Sequence, residues 1–132
     1  MDTAGTNRVI DKNAESVAQV RKKDLRCGDR VLVRTGNSSY TICVLAEDLY
    51  WVWGGWFDRK GVAPQRVTIN GCTWGGSALK CDVVAARGLR MEFGNGVCTT
   101  PIQGVRVIRA AWGAPVACHL RDAAPLNHWA TS

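Results

Sequence analysis

The chain has 132 residues, with 17 Lys and Arg against 11 Asp and Glu and a formal net charge of +6. This length predicts one domain with tails, and no apolar run approaches the roughly 18 residues that span a bilayer, so we expect no membrane partner. Arginine supplies 12 of the 17 basic residues. Its planar guanidinium suits contacts to phosphate, carboxylate or bases, although a basic surface also serves plain solubility.

No secretory signal is visible at the start of the chain, because residues 1–8 lack a basic stretch followed by an apolar one. We therefore expect a cytoplasmic protein whose six cysteines are free thiols rather than disulfides. Successive cysteines are 16, 29, 9, 17 and 20 residues apart, spacings that match no zinc finger or ribbon. We expect no metal ion and no cofactor.

A short helix is predicted over residues 13–25, after a polar N-terminal tail. Asn13 suits the N-cap, and the basic run 21–23 lies near the negative end of the helix dipole. The apolar stripe of this segment is thin. Residues 1–25 are therefore expected to form a polar tail and a short basic helix outside the main domain.

Three strands in a meander follow, separated by clusters of turn-forming residues. The three runs are residues 30–35, 39–46 and 49–53. Side chains alternate along a strand, so Val31 and Val33 are expected on one face of the sheet and Arg34 on the other.

The third strand opens an aromatic stretch, residues 50–57, which holds five of the ten aromatic side chains. Alternation places Trp51 and Trp53 on one face, and the pair Gly54-Gly55 is expected to break or bend the strand. One face of a small domain cannot easily bury every ring of this stretch. We therefore expect some rings to be exposed or covered by a partner or ligand, with packing in the core or its rim as the alternative.

Beyond the predicted bend, aromatic and charged side chains meet on a turn. Trp56 and Phe57 directly precede Asp58, Arg59 and Lys60. Because this part joins aromatic area to charge, we predict that it forms the better binding edge of the two.

The second half of the chain predicts further strands. Residues 65–71 and 105–109 alternate like strands, and Asn95-Gly96 is a favoured two-residue hairpin turn. Residues 78–87 are expected to form a short helix that ends at Gly88, although an extended conformation of residues 80–85 fits nearly as well because of the adjacent valines.

These elements predict a mainly β fold with two short helices. The architecture is expected to be a small, strongly bent antiparallel sheet or a five-to-seven-stranded barrel of the size of SH3 or Sm-like domains. Residues 26–109 form this β-domain, and residues 110–132 form an irregular C-terminal tail. A tail with so little pattern is also compatible with the product of a mobile gene cassette.

Two motifs suggest a relationship. Gly75-Gly76-Ser77 followed by Leu79-Lys80, and the run Gly88-Leu89-Arg90-Met91-Glu92, resemble an uncharacterised family of small bacterial β-domains with GGSxLK and GLxME motifs. The resemblance covers roughly residues 28–109. It implies one domain and carries no activity over to this chain.

No arrangement of a nucleophile with a base is apparent, since both histidines, His119 and His128, lie in the C-terminal tail. We expect a non-catalytic protein. The first hypothesis is a binding or self-associating module, a homo-oligomer with a dimer favoured. The second is a nucleic-acid-binding small barrel, and the third is a pocket for a small apolar or cationic ligand lined by the same aromatic residues.

The hypotheses draw on one set of candidate binding residues. In the nucleic-acid hypothesis the tryptophans stack on bases and the basic side chains hold phosphates. The candidates are Trp51, Trp53, Trp56, Phe57, Arg30, Arg34, Arg59, Lys60 and Arg66.

Overall fold

The computed structural model describes residues 14–75 and 78–110. This part of the chain is mainly β, as predicted, and forms three antiparallel sheets. The strands are β1 (Ala14–Val17), β2 (Gln19–Arg21), β3 (Arg30–Thr35), β4 (Ser39–Ala46), β5 (Leu49–Gly54), β6 (Gln65–Val67), β7 (Ile69–Thr73), β8 (Leu79–Lys80), β9 (Val83–Ala86), β10 (Arg90–Phe93) and β11 (Ile102–Ile108). A five-residue helix, α1, spans Gly55–Arg59, and one 3-10 turn spans Lys22–Asp24.

The largest sheet has six strands in the order β1-β11-β3-β4-β5-β6. Its centre is the predicted meander, whose first two strands have the predicted bounds and whose third ends one residue later. Neighbouring strands are antiparallel, so residues directly opposite one another lie on the same face. Val31, Ile42 and Val52 form one such row across three strands.

One face of this sheet, the inner face, supplies half of the hydrophobic core. Val31, Ile42 and Val52 have no exposed surface. The two smaller sheets, ordered β10-β7-β8 and β2-β9, supply much of the rest together with α1. From α1, Phe57 meets Phe93 edge to face with ring centroids 4.9 Å apart.

The predicted helix over residues 13–25 is wrong within the described residues. Instead β1 pairs with β11 at one edge of the large sheet and β2 pairs with β9. Val17 packs against the core and Val20 is buried. Valine prefers extended structure, and burial of these two side chains outweighs the weak helical preference of the polar residues between them.

The predicted helix over residues 78–87 is also wrong. β8 and β9 occupy this segment, and all four residues of β9 are buried. A strand buried on both faces shows a continuous apolar run, which periodicity cannot distinguish from a short helix. The pairing of β9 with β2 decides the conformation in favour of a strand, which Val83 and Val84 also prefer.

The sheets do not close into a barrel, so the bent-sheet alternative describes the fold. The predicted strand 65–71 is divided in two, because β6 joins the large sheet while β7 starts at Ile69 in the three-stranded sheet. The hairpin turn is present, with the Gly96 N–H donating to the Phe93 carbonyl at 2.9 Å. Its returning segment forms only a single bridge, between Glu92 and Cys98.

The predicted N-terminal tail to residue 13 and the predicted C-terminal tail beyond Ala110 lie outside the described residues. No helix in the described chain is long and apolar enough to cross a membrane.

The predicted break at Gly54-Gly55 is where β5 ends and α1 begins. Gly54 has a φ of 94° and Gly55 a φ of 45°, both left-handed. A side chain on Gly54 would overlap the Ser39 carbonyl oxygen, and one on Gly55 would overlap the Tyr40 ring. The Asp58 carboxylate accepts a hydrogen bond from the Gly54 N–H at 3.0 Å and so holds the helix start against the strand end.

Gly54→Ala is expected to destabilise the protein more than Gly61→Ala. Both glycines have a positive φ, 94° and 70°, so both substitutions carry the conformational cost of about 1–2 kcal/mol. Only Gly54→Ala adds a clash with backbone, since nothing lies within 4 Å of the Gly61 position. The extra loss should be about 1–3 kcal/mol, measured from urea unfolding midpoints at an unchanged slope. Equal losses would contradict the assigned backbone approach.

Candidate functional site

The second face of the six-stranded sheet, called the outer face here, gathers most of the predicted binding residues. Strand alternation sends the valines and Tyr50 inward and the intervening side chains outward. The outer face consists of Arg30, Leu32, Arg34, Thr41, Cys43, Leu45, Trp51, Trp53, Arg66 and Arg106.

Cross-strand register aligns two predicted arginines with a predicted tryptophan. Arg30 lies opposite Cys43, Cys43 opposite Trp51, and Trp51 opposite Arg66. The Arg66 guanidinium carbon is 5.8 Å from the centroid of the Trp51 ring, a cation–π distance. Arg30 and Arg66 therefore lie on either side of the tryptophan, about 14 Å apart at the usual strand spacing.

Trp51 is the centre of a small apolar cluster on the outer face. It is only 3% exposed, and Cys43 and Leu45 are buried with it. Trp53 and Leu49 pack against the cluster. The Trp51 indole N–H is buried and has no hydrogen-bond acceptor among the described residues, where it is an unsatisfied donor.

Trp53 lies opposite Thr41 and is partly buried, in contrast to the buried Trp51. The row continues from Thr41 to Leu32 and then to Arg106. Arg34 lies on β3, beyond Leu32, and is exposed. Trp53 is thus the outer-face tryptophan with surface available for a contact.

The outer face carries a strongly one-sided charge. Arg30, Arg34, Arg66 and Arg106 are all exposed. None of the described outward-facing residues of this sheet is Asp or Glu; Glu15 on β1 lies opposite Val107, on the inner side. Four arginines on one face, with no carboxylate among its described outward-facing residues, favour a positive potential there.

The structure separates the predicted edge beyond the bend from the outer face. Phe57 has no exposed surface and belongs to the core. Trp56 is half-buried and packs edge to face on Phe57 with centroids 5.2 Å apart. Arg59 and Lys60 are exposed, and Arg59 donates to the Ser38 hydroxyl at 2.9 Å. Of these four candidates, only the two basic residues present mainly exposed side chains.

A separate cleft of about 660 Å³ lies beside the 3-10 turn and the β4–β5 hairpin. Tyr50, Asp48 and Lys22 contribute to its lining, but none of the tryptophans of the described chain does. Lys22 and Asp48 form an ion pair at 3.1 Å. Burial, and then the Asp48 carboxylate, raise the pKa of Tyr50, so its hydroxyl stays a neutral donor. The predicted aromatic ligand pocket is therefore not this cleft.

Sequence patterns missed two further basic residues. Arg106 alternates with buried Val105 and Val107 on β11, and this alternation was a usable signal. Arg87 lies in the turn after β9 and has no such signal. The structure brings both near Arg34, where they line a groove.

Metal and thiol chemistry find little support within residues 14–75 and 78–110. No group of three His, Cys, Asp or Glu side chains there is arranged to hold a metal ion. Cys72 is fully buried, and its thiol contacts the Val84 carbonyl oxygen at 3.4 Å. Burial raises the pKa of Cys72 to about 11, which suppresses the reactive thiolate.

Comparison with known proteins gives no match: no family model, no curated protein and no solved structure is similar to this chain. The resemblance inferred from the sequence motifs stays a prediction.

Cys72 is expected to resist alkylation in the folded protein, whereas Cys81, which is exposed, should react. A raised pKa lowers the thiolate fraction at pH 8, and burial blocks the reagent. Iodoacetamide labelling followed by peptide mass spectrometry measures both sites, with urea-unfolded protein as the control in which both react. Equal labelling of the two thiols in the native state would contradict the buried placement.

Proposed function

We propose that this protein is a non-catalytic binding module whose outer face binds single-stranded nucleic acid. The single observation that carries the proposal is the meeting of Trp53 with four arginines on one sheet face that bears no described carboxylate. A positive sheet face with an aromatic side chain is an established way to hold unstacked bases and their phosphates.

The different roles of Trp51, Trp53 and the arginines follow from how deeply each side chain is buried. Trp51 is too buried to stack on a base. It packs in the apolar cluster against which Trp53 lies. Trp53 is only partly buried, and a base stacked on it would contribute about 1–3 kcal/mol. The exposed arginines on either side of the two rings neutralise phosphates, so binding depends strongly on salt.

A single strand fits this face better than a duplex. Bases in a duplex are stacked on one another and cannot lie flat on Trp53, whereas a single strand exposes them. A sheet also projects no helix or narrow ribbon of the kind that enters the major groove. Stacking reads no particular sequence, so we expect a broad base preference.

Trp53→Ala is expected to weaken binding of a labelled single-stranded oligonucleotide by about 5- to 150-fold, the equivalent of 1–3 kcal/mol. Fluorescence anisotropy at low salt measures the affinity. Trp74→Ala is the matched control, because Trp74 is 62% exposed and lies at the end of β7, away from the outer face. Loss of binding in the Trp74 variant alone would place the site elsewhere, and no binding by the wild type at low salt would overturn the proposal.

Arg30→Gln and Arg66→Gln test the electrostatic part of the proposal. Each should reduce the slope of log affinity against log salt by about 0.7, the value for one phosphate contact on a single strand. Lys80→Gln is the charge control, since Lys80 lies on β8 over the Trp74 ring. An identical reduction in the slope for the Lys80 variant would show that net charge alone controls binding.

Self-association is the second candidate function. The observation that favours it is the apolar cluster around Trp51 on a sheet face opposite the core, since such clusters are often covered by another subunit. A symmetric dimer through this face would also bring two sets of four arginines together, which opposes it. The charge of the outer face therefore favours nucleic-acid binding over self-association.

Light scattering coupled to size exclusion separates the two candidates. We expect a monomer from micromolar to near-millimolar concentration in moderate salt, because like charges on the outer face repel. A dimer that persists in Trp53→Ala and dissociates in Leu45→Glu would favour self-association through the apolar cluster.

A further inference from the structure

A groove of about 500 Å³ crosses the outer face over β1, β11, β3 and β4. Its volume lies in the range of ordinary small-molecule sites, roughly 300–1,000 Å³. Its lining includes Arg34, Arg87, Arg106, Ser16, Ser39 and Thr41. We call it the arginine groove.

We propose that the arginine groove is a phosphate-binding site that takes the phosphate group of a nucleotide, with the base lying on the adjacent Trp53. Phosphate binding in the groove does not depend on the proposed function, whereas the placement of the base on Trp53 rests on it. The site includes Arg87, which belongs to a different sheet from the other lining arginines and was outside every sequence-based candidate set.

The lining of the groove is selective for an anion. Three arginines, several hydroxyl-bearing residues and Gln103 line it, and no carboxylate is among the described lining residues. Arginine matches phosphate oxygens with two parallel N–H donors. Serine and threonine hydroxyls supply further donors. A cation would find three positive charges and no anionic ligand.

Two of the three arginines have no competing partner within the described part of the chain. Neither Arg34 nor Arg87 forms an ion pair or a side-chain hydrogen bond with the described residues. An anion entering the groove therefore has no internal salt bridge to displace at these two positions. The position of Arg87 is set by its backbone, since its N–H donates to the Ala18 carbonyl at 2.9 Å.

The space in the groove depends partly on Gly104. This residue lies opposite Arg34, and a Cβ built on it would be 3.6 Å from the Arg34 Nη2 atom. The register of β11 shifts just before it, between Ile102 and Gly104. A larger side chain at this position would occupy the space beside the guanidinium.

The groove adjoins the stacking position. Thr41 lines the groove and is directly opposite Trp53 on β5, so their Cβ atoms lie about 5 Å apart. Arg34 is two strands away from Trp53, which is about 10 Å across the sheet. These separations suit one nucleotide, with its base on the ring and its phosphate among the arginines.

The test is an NMR titration of the full chain, following the backbone amides of Ser39, Thr41 and Gly104. Inorganic phosphate and uridine monophosphate should both shift these amides, and uridine alone should shift mainly the region of Trp53. Arg34→Gln and Arg87→Gln should each weaken phosphate binding by at least about tenfold, as loss of a charge-assisted bidentate contact predicts. Lys80→Gln is the charge control and should leave phosphate binding unchanged.

Gly104→Leu provides a second variant that blocks the groove without altering charge. It should abolish the shifts caused by phosphate while the far-ultraviolet circular dichroism stays that of the wild type. Arg87→Gln keeps the proposal testable should this variant fold poorly, since the Arg87 side chain is exposed and its backbone hydrogen bond is unaffected.

The outcomes distinguish this inference from the proposed function. Phosphate shifts in the groove without any oligonucleotide binding support the groove and overturn the nucleic-acid face. Oligonucleotide binding that depends on Trp53 but not on Arg34 or Arg87, with no effect of phosphate on the groove, overturns the groove alone. If an oligonucleotide with a 5′-phosphate binds more tightly than the same oligonucleotide without it, the groove binds a terminal phosphate. If both bind equally and binding still depends on Arg34 and Arg87, the groove binds a phosphodiester.

Discussion

The antiparallel pairing of β3, β4 and β5 is the constraint on which the rest of this protein depends. Side chains alternate across each strand and align in rows between strands, so the same pairing that buries Val31, Ile42 and Val52 also aligns Arg30 with Trp51 on the outer face, with Cys43 between them. A slip of one residue would send the arginines into the core. The candidate binding face is therefore maintained by the energetics of hydrophobic burial on the opposite side of the sheet.

A buried carboxylate joins the start of β3 to the end of β11, the last described strand. Asp29 is 3% exposed and accepts hydrogen bonds from the Arg26 N–H at 2.9 Å and the Ala110 N–H at 2.7 Å. It also pairs with Arg109 at 3.1 Å. These contacts fix the end of β11 next to the start of β3, and so they help to place Arg106 within reach of Arg34. A functional surface made from distant parts of the chain depends on such hydrogen bonds and ion pairs between its strands.

The aromatic stretch at residues 50–57 serves two purposes that its composition does not separate. Before the glycine pair, Trp51 and Trp53 both face outward. Trp51 is buried in the apolar cluster, whereas Trp53 is only partly buried. After the glycine pair, the short helix turns Phe57 into the core against Phe93. The positive φ angles of Gly54 and Gly55 make this reversal possible, because any other residue would collide with β4.

The sequence by itself determined the mainly β class, the meander, the two faces of its strands and the break at Gly54-Gly55, because all of these follow from local alternation and turn chemistry. Alternation likewise predicted Arg34 on the face opposite Val31 and Val33, and Trp51 together with Trp53, whereas the pairing of β3, β4 and β5 decided that the arginines and the tryptophans share a face. Tertiary structure alone decided that residues 14–21 and 79–86 are strands, since their conformation depends on pairing with distant partners. It also decided that Arg87 and Arg106 join Arg34, because alternation along β11 indicates only the face of Arg106, whereas the register between strands far apart in the chain is set by the packing of the whole core.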